Sequence, residues 1–421
     1  MSIIHIGTVT LELFKRGWRY FRRHGFLCAI AQTFDKLGRV WVQMPNRCAE
    51  LFISTKRIRL LNEAAKGKQV FVIIPCIDWH IPLFQRPHQI AAALARRKDS
   101  VVFFIPDQYR YDNFCFSQKL SDNMYLFSAR AVWALNRILS GGAKITVVMC
   151  WTRQFNLLSR FRYDRLVYEY IDELDLFYYY DKNMETIHRT LLSKADLTTA
   201  TAVELYKKAE PIAKKIIFSP NAADYDFFSR QRNCAPNPKI SGSVGRYSIV
   251  LGYYGALAAW FDYALILEVA RRRGDWLFVL VGYDFDGSLS RLDDAALPNI
   301  LKIGAQPYRE LPSYISGCDV MIIPFLINKV TVATSPVKLF EYMACQKPIL
   351  TSELPECARY GSVTRYRESD AVDFEQKVLE LYAKRRDPEY LELLDREARE
   401  NTWQERVERI LTELRDDVCT S

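Results

Sequence analysis

The ten cysteines of this 421-residue sequence include no Cys-x-x-Cys pair. No zinc ribbon or dithiol redox motif can be assembled from near neighbours, and scattered thiols of this kind suit a reducing compartment. There is no Asn-x-Ser/Thr acceptor. No apolar run approaches the ~18 residues that would suggest a membrane span. The opening MSIIHIGTVTLELFKRGW has no basic segment ahead of an apolar core, so it does not have the layout of a secretory signal. Neither an internal repeat nor a low-complexity tract is present, and no G-x-G-x-x-G follows the first strand-like run, which argues against a nicotinamide enzyme. These absences lead to the expectation of a cytoplasmic globular protein.

What is there is an ordinary globular balance, 49% apolar and 25% charged, with an uneven distribution of charge. Residues 1–70 hold 13 Lys and Arg against 4 Asp and Glu, and the other 351 residues hold 45 of each sign. The whole net charge of +9 therefore belongs to the N-terminal segment. On a helix, LELFKRGWRYFRRHGFLC (11–28) gathers Leu11, Phe14, Trp18, Phe21 and Cys28 on one side. Lys15, Arg16, Arg19, Arg22 and Arg23 occupy the flank and back. An aromatic face with a basic back is the pattern of a helix lying on an anionic bilayer, and equally of a helix docked on its own domain. Because the rest of the chain is neutral, nucleic acid is not expected as a partner.

From residue 69 strand-like and helix-like runs alternate: VFVIIPCI (70–77), VVFFIP (101–106), ITVVMCW (145–151), LVYEYID (166–172), LTTAT (197–201) and KIIFSP (215–220), with helical patterns at 86–97 and 183–195. Residues 221–248 turn polar and rich in Pro, Gly, Ser and Asn, which reads as a linker. The alternation restarts with IVLGYYG (249–255), WLFVLVG (276–282), ILKIG (300–304), CDVMIIPF (318–325) and KPILTS (347–352), and NTWQERVERILTELRDD (401–417) reads as one more helix. The fold class expected is α/β: a basic helical extension over 1–68 precedes two Rossmann-like doubly wound domains, 69–220 and 249–400. These face each other across a cleft, and a crossover helix occupies 401–421.

TSPVKLFEYMACQKP (334–348) starts a short helix between two buried strands. Ser335 reads as its N-cap and Pro336 as its first residue. Lys338 and Glu341, at i and i+3, lie side by side at the carboxyl edge where such folds bind ligands.

SPVKLFEYMACQKPIL resembles the nucleotide-sugar motif of GT-B glycosyltransferases, in particular glycosyltransferase family 4 and related bacterial polysaccharide enzymes. GYYGALAAWFDYALILEVARRRGDWLFVLVG (252–282), IGAQPYRELPSYISGCDVMIIPF (303–325), TWQERV (402–407) and IDWHIPLFQRPHQIAAALARR (77–97) resemble other parts of the same fold, so the likeness covers about residues 69–415. It implies that Glu341 accepts hydrogen bonds from the nucleotide ribose. Lys338, with Ser335 and Pro336 at the helix start and the bare Gly255 turn, would then hold the diphosphate. It implies a nucleoside-diphosphate-sugar donor, a glycan or polyprenyl-linked acceptor, and neither metal nor cofactor, since backbone dipoles and basic side chains stabilise the leaving group. Ala333 stands where the first glutamate of the family's E-x7-E should be, and this leaves donor sugar, stereochemical outcome and linkage open.

An inverting transfer needs a base. Asp172, closing LVYEYID, is the candidate at the cleft edge, with an N-cap or loop carboxylate as the plain alternative. Asp78, Trp79 and Arg86, with His80 beside them, are the acceptor-binding candidates, and helix capping or a structural ion pair is the plain alternative for Arg86. Asp284 and Asp286, in DFD, read as a solvated loop. The function expected is glycosyl transfer in cell-surface polysaccharide synthesis, with the basic N-terminal segment holding the enzyme at the inner leaflet. The alternatives are a non-catalytic relative that binds membrane or partner enzymes, and a nucleotide-sugar epimerase.

Overall fold

Runs such as Gln69–Ile74 and Trp276–Val281 have no polar face, so each must be covered on both sides, which is the demand of a parallel sheet layered with helices. The computed structural model describes residues 55–81, 83–107, 111–139, 142–176, 180–292 and 297–416. It contains two such sheets.

The first sheet comprises β1 (Gln69–Ile74), β2 (Ser100–Phe104), β3 (Ser117–Ser121), β4 (Met124–Phe127), β5 (Ile145–Met149), β6 (Arg165–Tyr170), β7 (Leu197–Ala200) and β8 (Ile216–Phe218), in the order β3-β4-β2-β1-β5-β6-β7-β8. All pairings are parallel except β3 with β4. The second comprises β9 (Ile249–Tyr254), β10 (Trp276–Val281), β11 (Ile300–Gly304), β12 (Val320–Ile323), β13 (Ile349–Thr351) and β14 (Val363–Arg365), in the order β11-β10-β9-β12-β13-β14 and wholly parallel. In each sheet the strand order reverses at the first strand, β1 or β9. The loops leaving these strands, at residues 75–85 and from Gly255, therefore sit at the two topological switch points.

Three features differ from the sequence-based expectation. The β3–β4 hairpin was not anticipated because SQKLS is polar and mostly exposed, as an edge strand can be. The stretch read as a linker carries two helices, Tyr225–Arg230 and Pro238–Val244. They bury Phe228 and Ile240 in the second core, and Asn237 and Pro238 are the start signal of the second helix. Residues 55–65, assigned to the basic extension, form a helix whose Leu61 and Ala65 belong to the first core. The helical wheel over 11–28 lies outside the described residues. No helix among the described residues is long and apolar enough to cross a membrane.

The final helix, Trp403–Asp416, returns to the first domain, where Trp403, Val407, Ile410, Leu411 and Leu414 pack with Ile90, Ala91 and Leu94. The two chain crossings meet side by side. The Ala223 amide donates to the Asn401 carbonyl at 3.1 Å, and the Trp403 amide donates to that of Ala223 at 3.3 Å.

Candidate functional site

The helix Val337–Ala344 points its start at the junction of the two domains. Pro336 is its N-cap residue rather than its first turn (φ −71°, ψ 114°), and Ser335 does not cap it. The Ser335 hydroxyl instead accepts from the Asn221 amide (3.1 Å), and the Ser335 carbonyl accepts from the Asn221 side chain (2.6 Å). Asn221 belongs to the first chain crossing, so it ties the start of this helix to the first domain.

One turn on, Glu341 is 2% exposed. The Tyr254 hydroxyl, from the end of β9, donates to Oε2, while Oε1 has no partner among the described residues. Burial pushes the carboxyl up to about 7, against the pull of the Tyr254 and Tyr308 hydroxyls and the Lys338 charge. Lys338 is likewise uncompensated. Its Nζ lies 5.2 Å from the Tyr253 ring centroid and 4.9 Å from that of Phe325, within cation–π range. Among the described residues it has no hydrogen-bond acceptor or ion-pair partner. Desolvation lowers it to about 8, partly offset by Glu341.

Beside Lys338 the chain leaves β9 through Gly255, at φ +136°, where a Cβ would lie 2.8 Å from Lys338 Cε. A Cβ on Gly282 would stand 1.8 Å from the Gly255 carbonyl oxygen. Both positions require glycine, and the turn they make is bare backbone.

Tyr308 covers this pocket from the second domain and is gripped from the first. Its hydroxyl accepts from Gln89 Nε2 at 3.0 Å, and its ring lies 5.7 Å from that of Phe84. Ala333 is 3% exposed and packs with the apolar core of the first domain, so no polar side chain issues from that position.

In the first domain Asp172 lies just beyond β6, half-buried. It has no hydrogen-bond or ion-pair partner among the described residues, and burial raises its carboxyl to about 6. Glu173 pairs with Lys208 and accepts from the Tyr170 hydroxyl, and Asp175 is exposed.

The acceptor-side expectations need correction. Arg86 is 3% exposed and fully engaged: Glu169 at 2.9 Å, the Pro220 carbonyl at 3.1 Å, Ser219 Oγ at 3.1 Å and Asn221 Oδ1 at 3.3 Å. It is a structural hub beneath the chain crossing. Asp78 is 4% exposed and accepts from the amides of Tyr111 (2.7 Å) and Asp112 (3.4 Å), so it anchors a loop. The Trp79 ring packs edge-on against Phe84, His88 and Phe104 and keeps part of its surface exposed. The group presented beside it is His80, 46% exposed, with Nδ1 held 2.5 Å from the wholly buried carboxylate of Asp112. His88 and His188 are packing residues, both lowered to about 4 by burial. Asp284 and Asp286 accept the amides of Gly287 and Ser288 in their own turn, and Asp286 also accepts the Ala259 amide at 2.9 Å.

Sequence reasoning missed Tyr254, Tyr308, Asp112 and Asn221. Tyr254 immediately precedes Gly255 and could have been flagged by that position. Asp112 is 32 residues from His80 and carries no local signal.

Residues 246–384 match the family model described as glycosyl transferases group 1. The match lies within the second domain. The group 1 domain thus contains Gly255, Tyr308, Lys338 and Glu341. A curated relative, the putative teichuronic acid biosynthesis glycosyltransferase TuaH of Bacillus subtilis (strain 168), is 29% identical over 230 residues. That match covers 53% of this chain and spans only 57% of the relative's length. Among solved structures, sucrose-phosphate synthase from Thermosynechococcus elongatus aligns with a TM-score of 0.60 at 14% identity, over 84% of this chain and all of that one (100%). HepE from Anabaena, in complex with UDP-glucose, aligns at 0.57 and 13%, over 83% and 99%. An E. coli trehalose-6-phosphate structure bound with UDP-2-fluoro glucose aligns at 0.60 and 10%, over 82% and 99%. The fold is GT-B.

Proposed function

We propose that this chain is a glycosyltransferase that moves a sugar from a nucleoside-diphosphate donor to a glycan or lipid-linked glycan in cell-surface polysaccharide synthesis. The observation that carries the reading is the uncompensated pair in the group 1 domain. Glu341 leaves one buried oxygen without a partner, and Lys338 leaves its ammonium without an acceptor, beside a bare glycine turn. Native interiors satisfy such groups, so these two are reserved for a ligand that brings a diol to the carboxylate and a polyphosphate to the ammonium. The UDP-sugars in the HepE and trehalose-6-phosphate structures make UDP-sugars the first donors to test.

In the transfer, the acceptor hydroxyl oxygen bonds to the anomeric carbon as the bond from that carbon to the diphosphate oxygen breaks. The diphosphate leaves with the electron pair, and Lys338 and the backbone at Gly255, Ser335 and Pro336 stabilise its growing charge. The hydroxyl proton passes to Asp172, whose carboxyl near 6 suits a base at neutral pH. The basic segment at residues 1–68 would hold the enzyme on the anionic inner leaflet at about 1 kcal/mol per near-surface basic residue. Sedimentation with anionic vesicles at low salt, reversed at high salt, tests that part.

Ala333 favours one other reading, a non-catalytic relative. Donor hydrolysis and transfer assayed across UDP-, GDP- and TDP-sugars decide between the two. Turnover of one donor supports the enzyme, and silence across all three donors with bound nucleotide supports the binding subunit.

A further inference from the structure

At the hinge end of the molecule, on strands and turns separate from the Lys338–Glu341 pocket, a cavity of about 290 Å³ is lined by Phe218, Arg359, Tyr360, Asn401, Arg406 and Arg409, with Pro220. Among the described residues, no carboxylate lines it. Among the described residues, none of the three arginines has an ion-pair partner. Arg406 is 7% exposed, and its guanidinium donates only to neutral oxygens: the Pro220 carbonyl at 2.9 Å, the Asn221 carbonyl at 3.3 Å and Asn401 Oδ1. The carboxylates near by are committed elsewhere. Glu169 is taken by Arg86, and Glu356 accepts the Val203 amide at 2.7 Å. Glu405, on the helix's first turn, is exposed.

A buried guanidinium without a counter-charge is costly, and two more cations beside it raise the cost. Desolvation lowers Arg406 to about 10, with Arg86 and Arg409 pulling the same way and Tyr360 and the exposed Glu405 pulling against them. Arg359 is steadied over the cavity by the Phe218 ring, 4.2 Å from its Cζ. Three guanidinium forks around one hollow match the several oxygens of a phosphate group.

We propose that this cavity is an anion site for a phosphate- or diphosphate-bearing ligand. Its walls come from the first domain (Phe218), the second (Arg359, Tyr360) and the returning helix (Arg406, Arg409), so an occupant bridges both domains at the crossing. The same chemistry is offered by a free phosphorylated metabolite and by the diphosphate of a lipid-linked glycan.

The test is calorimetric titration of the full chain with inorganic pyrophosphate and with geranyl diphosphate. The controls are an Arg359→Gln/Arg409→Gln protein, whose altered residues are exposed and, unlike Arg406, donate no hydrogen bond among the described residues, and Lys338→Ala. The expected result is binding that falls at least tenfold in the double variant, persists in Lys338→Ala, and leaves nucleotide affinity unchanged in the double variant. Tighter binding of geranyl diphosphate assigns the site to the lipid-linked group, and equal binding assigns it to a free metabolite. No binding of either probe, or binding kept by the double variant, overturns the proposal. Loss in Lys338→Ala alone also overturns it and places the anion in the donor pocket. Failure of the donor reading shows instead in nucleotide titrations, which this experiment leaves separate.

Discussion

Two pairs of opposite charge lie at the carboxyl edges of the two sheets, and they are built in opposite ways. Arg86 and Glu169 meet at 2.9 Å, and the remaining guanidinium hydrogens go to Pro220, Ser219 and Asn221, while Thr199 also donates to Glu169 at 3.3 Å. Lys338 and Glu341 do not form an ion pair; Glu341 keeps one buried oxygen without a partner among the described residues, and the half-buried Lys338 ammonium faces only the Tyr253 and Phe325 rings. The first pair is complete as protein; the second is completed only by something from outside. Burial alone does not separate a structural charge from a binding charge, but the state of its hydrogen bonds does.

If that distinction holds, the largest effects come from the partnerless groups on the reacting side. Asp172→Asn should lower transfer by ~10²–10⁴ while nucleotide affinity stays near wild type and stability above pH 6 is kept or raised, since burial lifts this carboxyl as well. Steady-state kinetics beside calorimetry check this. Wild-type turnover would move the base to His80, positioned by Asp112, and His80→Gln would then carry the loss.

Next in size is the saturated pair. Arg86→Ala strands Glu169 in the interior and should cost about 3–5 kcal/mol of stability by chemical denaturation, with nucleotide affinity of the folded fraction unchanged. A stable Arg86→Ala protein with weakened substrate binding would reverse the assignment of Arg86.

A smaller effect distinguishes Glu341 in the ligand-free protein. Its folded carboxyl sits at about 7, above the ordinary 4.5, so the folded state holds its proton more tightly than the unfolded chain. The stability this contributes is full below 4.5 and is lost as pH rises through 7. Glu341→Gln should remove that decline, leaving the variant about 1–3 kcal/mol more stable than wild type near pH 8, in denaturation followed across pH. Lower stability of the variant at pH 8 would mean that Glu341 is held by contacts of its own.

Much of this was legible in the sequence because it depends on local pattern. The parallel strands announce themselves as unbroken apolar runs, and the helix at 337–344 by Ser-Pro followed by an apolar stripe. What was not legible depends on distant partners. Nothing near Arg86 tells that Glu169 completes it, 83 residues away, or that Ser335 is claimed by Asn221 rather than by its own helix. The short polar β3 and the helices inside 221–248 lack the periodicity on which such reading depends.

The measurement that tests the central claim most directly is nucleoside-diphosphate affinity by calorimetry for wild type and Glu341→Ala, in buffers of differing ionisation enthalpy near pH 7. Loss of two charge-assisted bonds to ribose hydroxyls, roughly 1.5–3 kcal/mol each, should weaken binding by a few kcal/mol. Wild type should also release protons on binding as the raised carboxyl ionises, and the variant should not. Equal affinity and equal proton release in the two proteins would contradict the account and make Glu341 a buried structural residue.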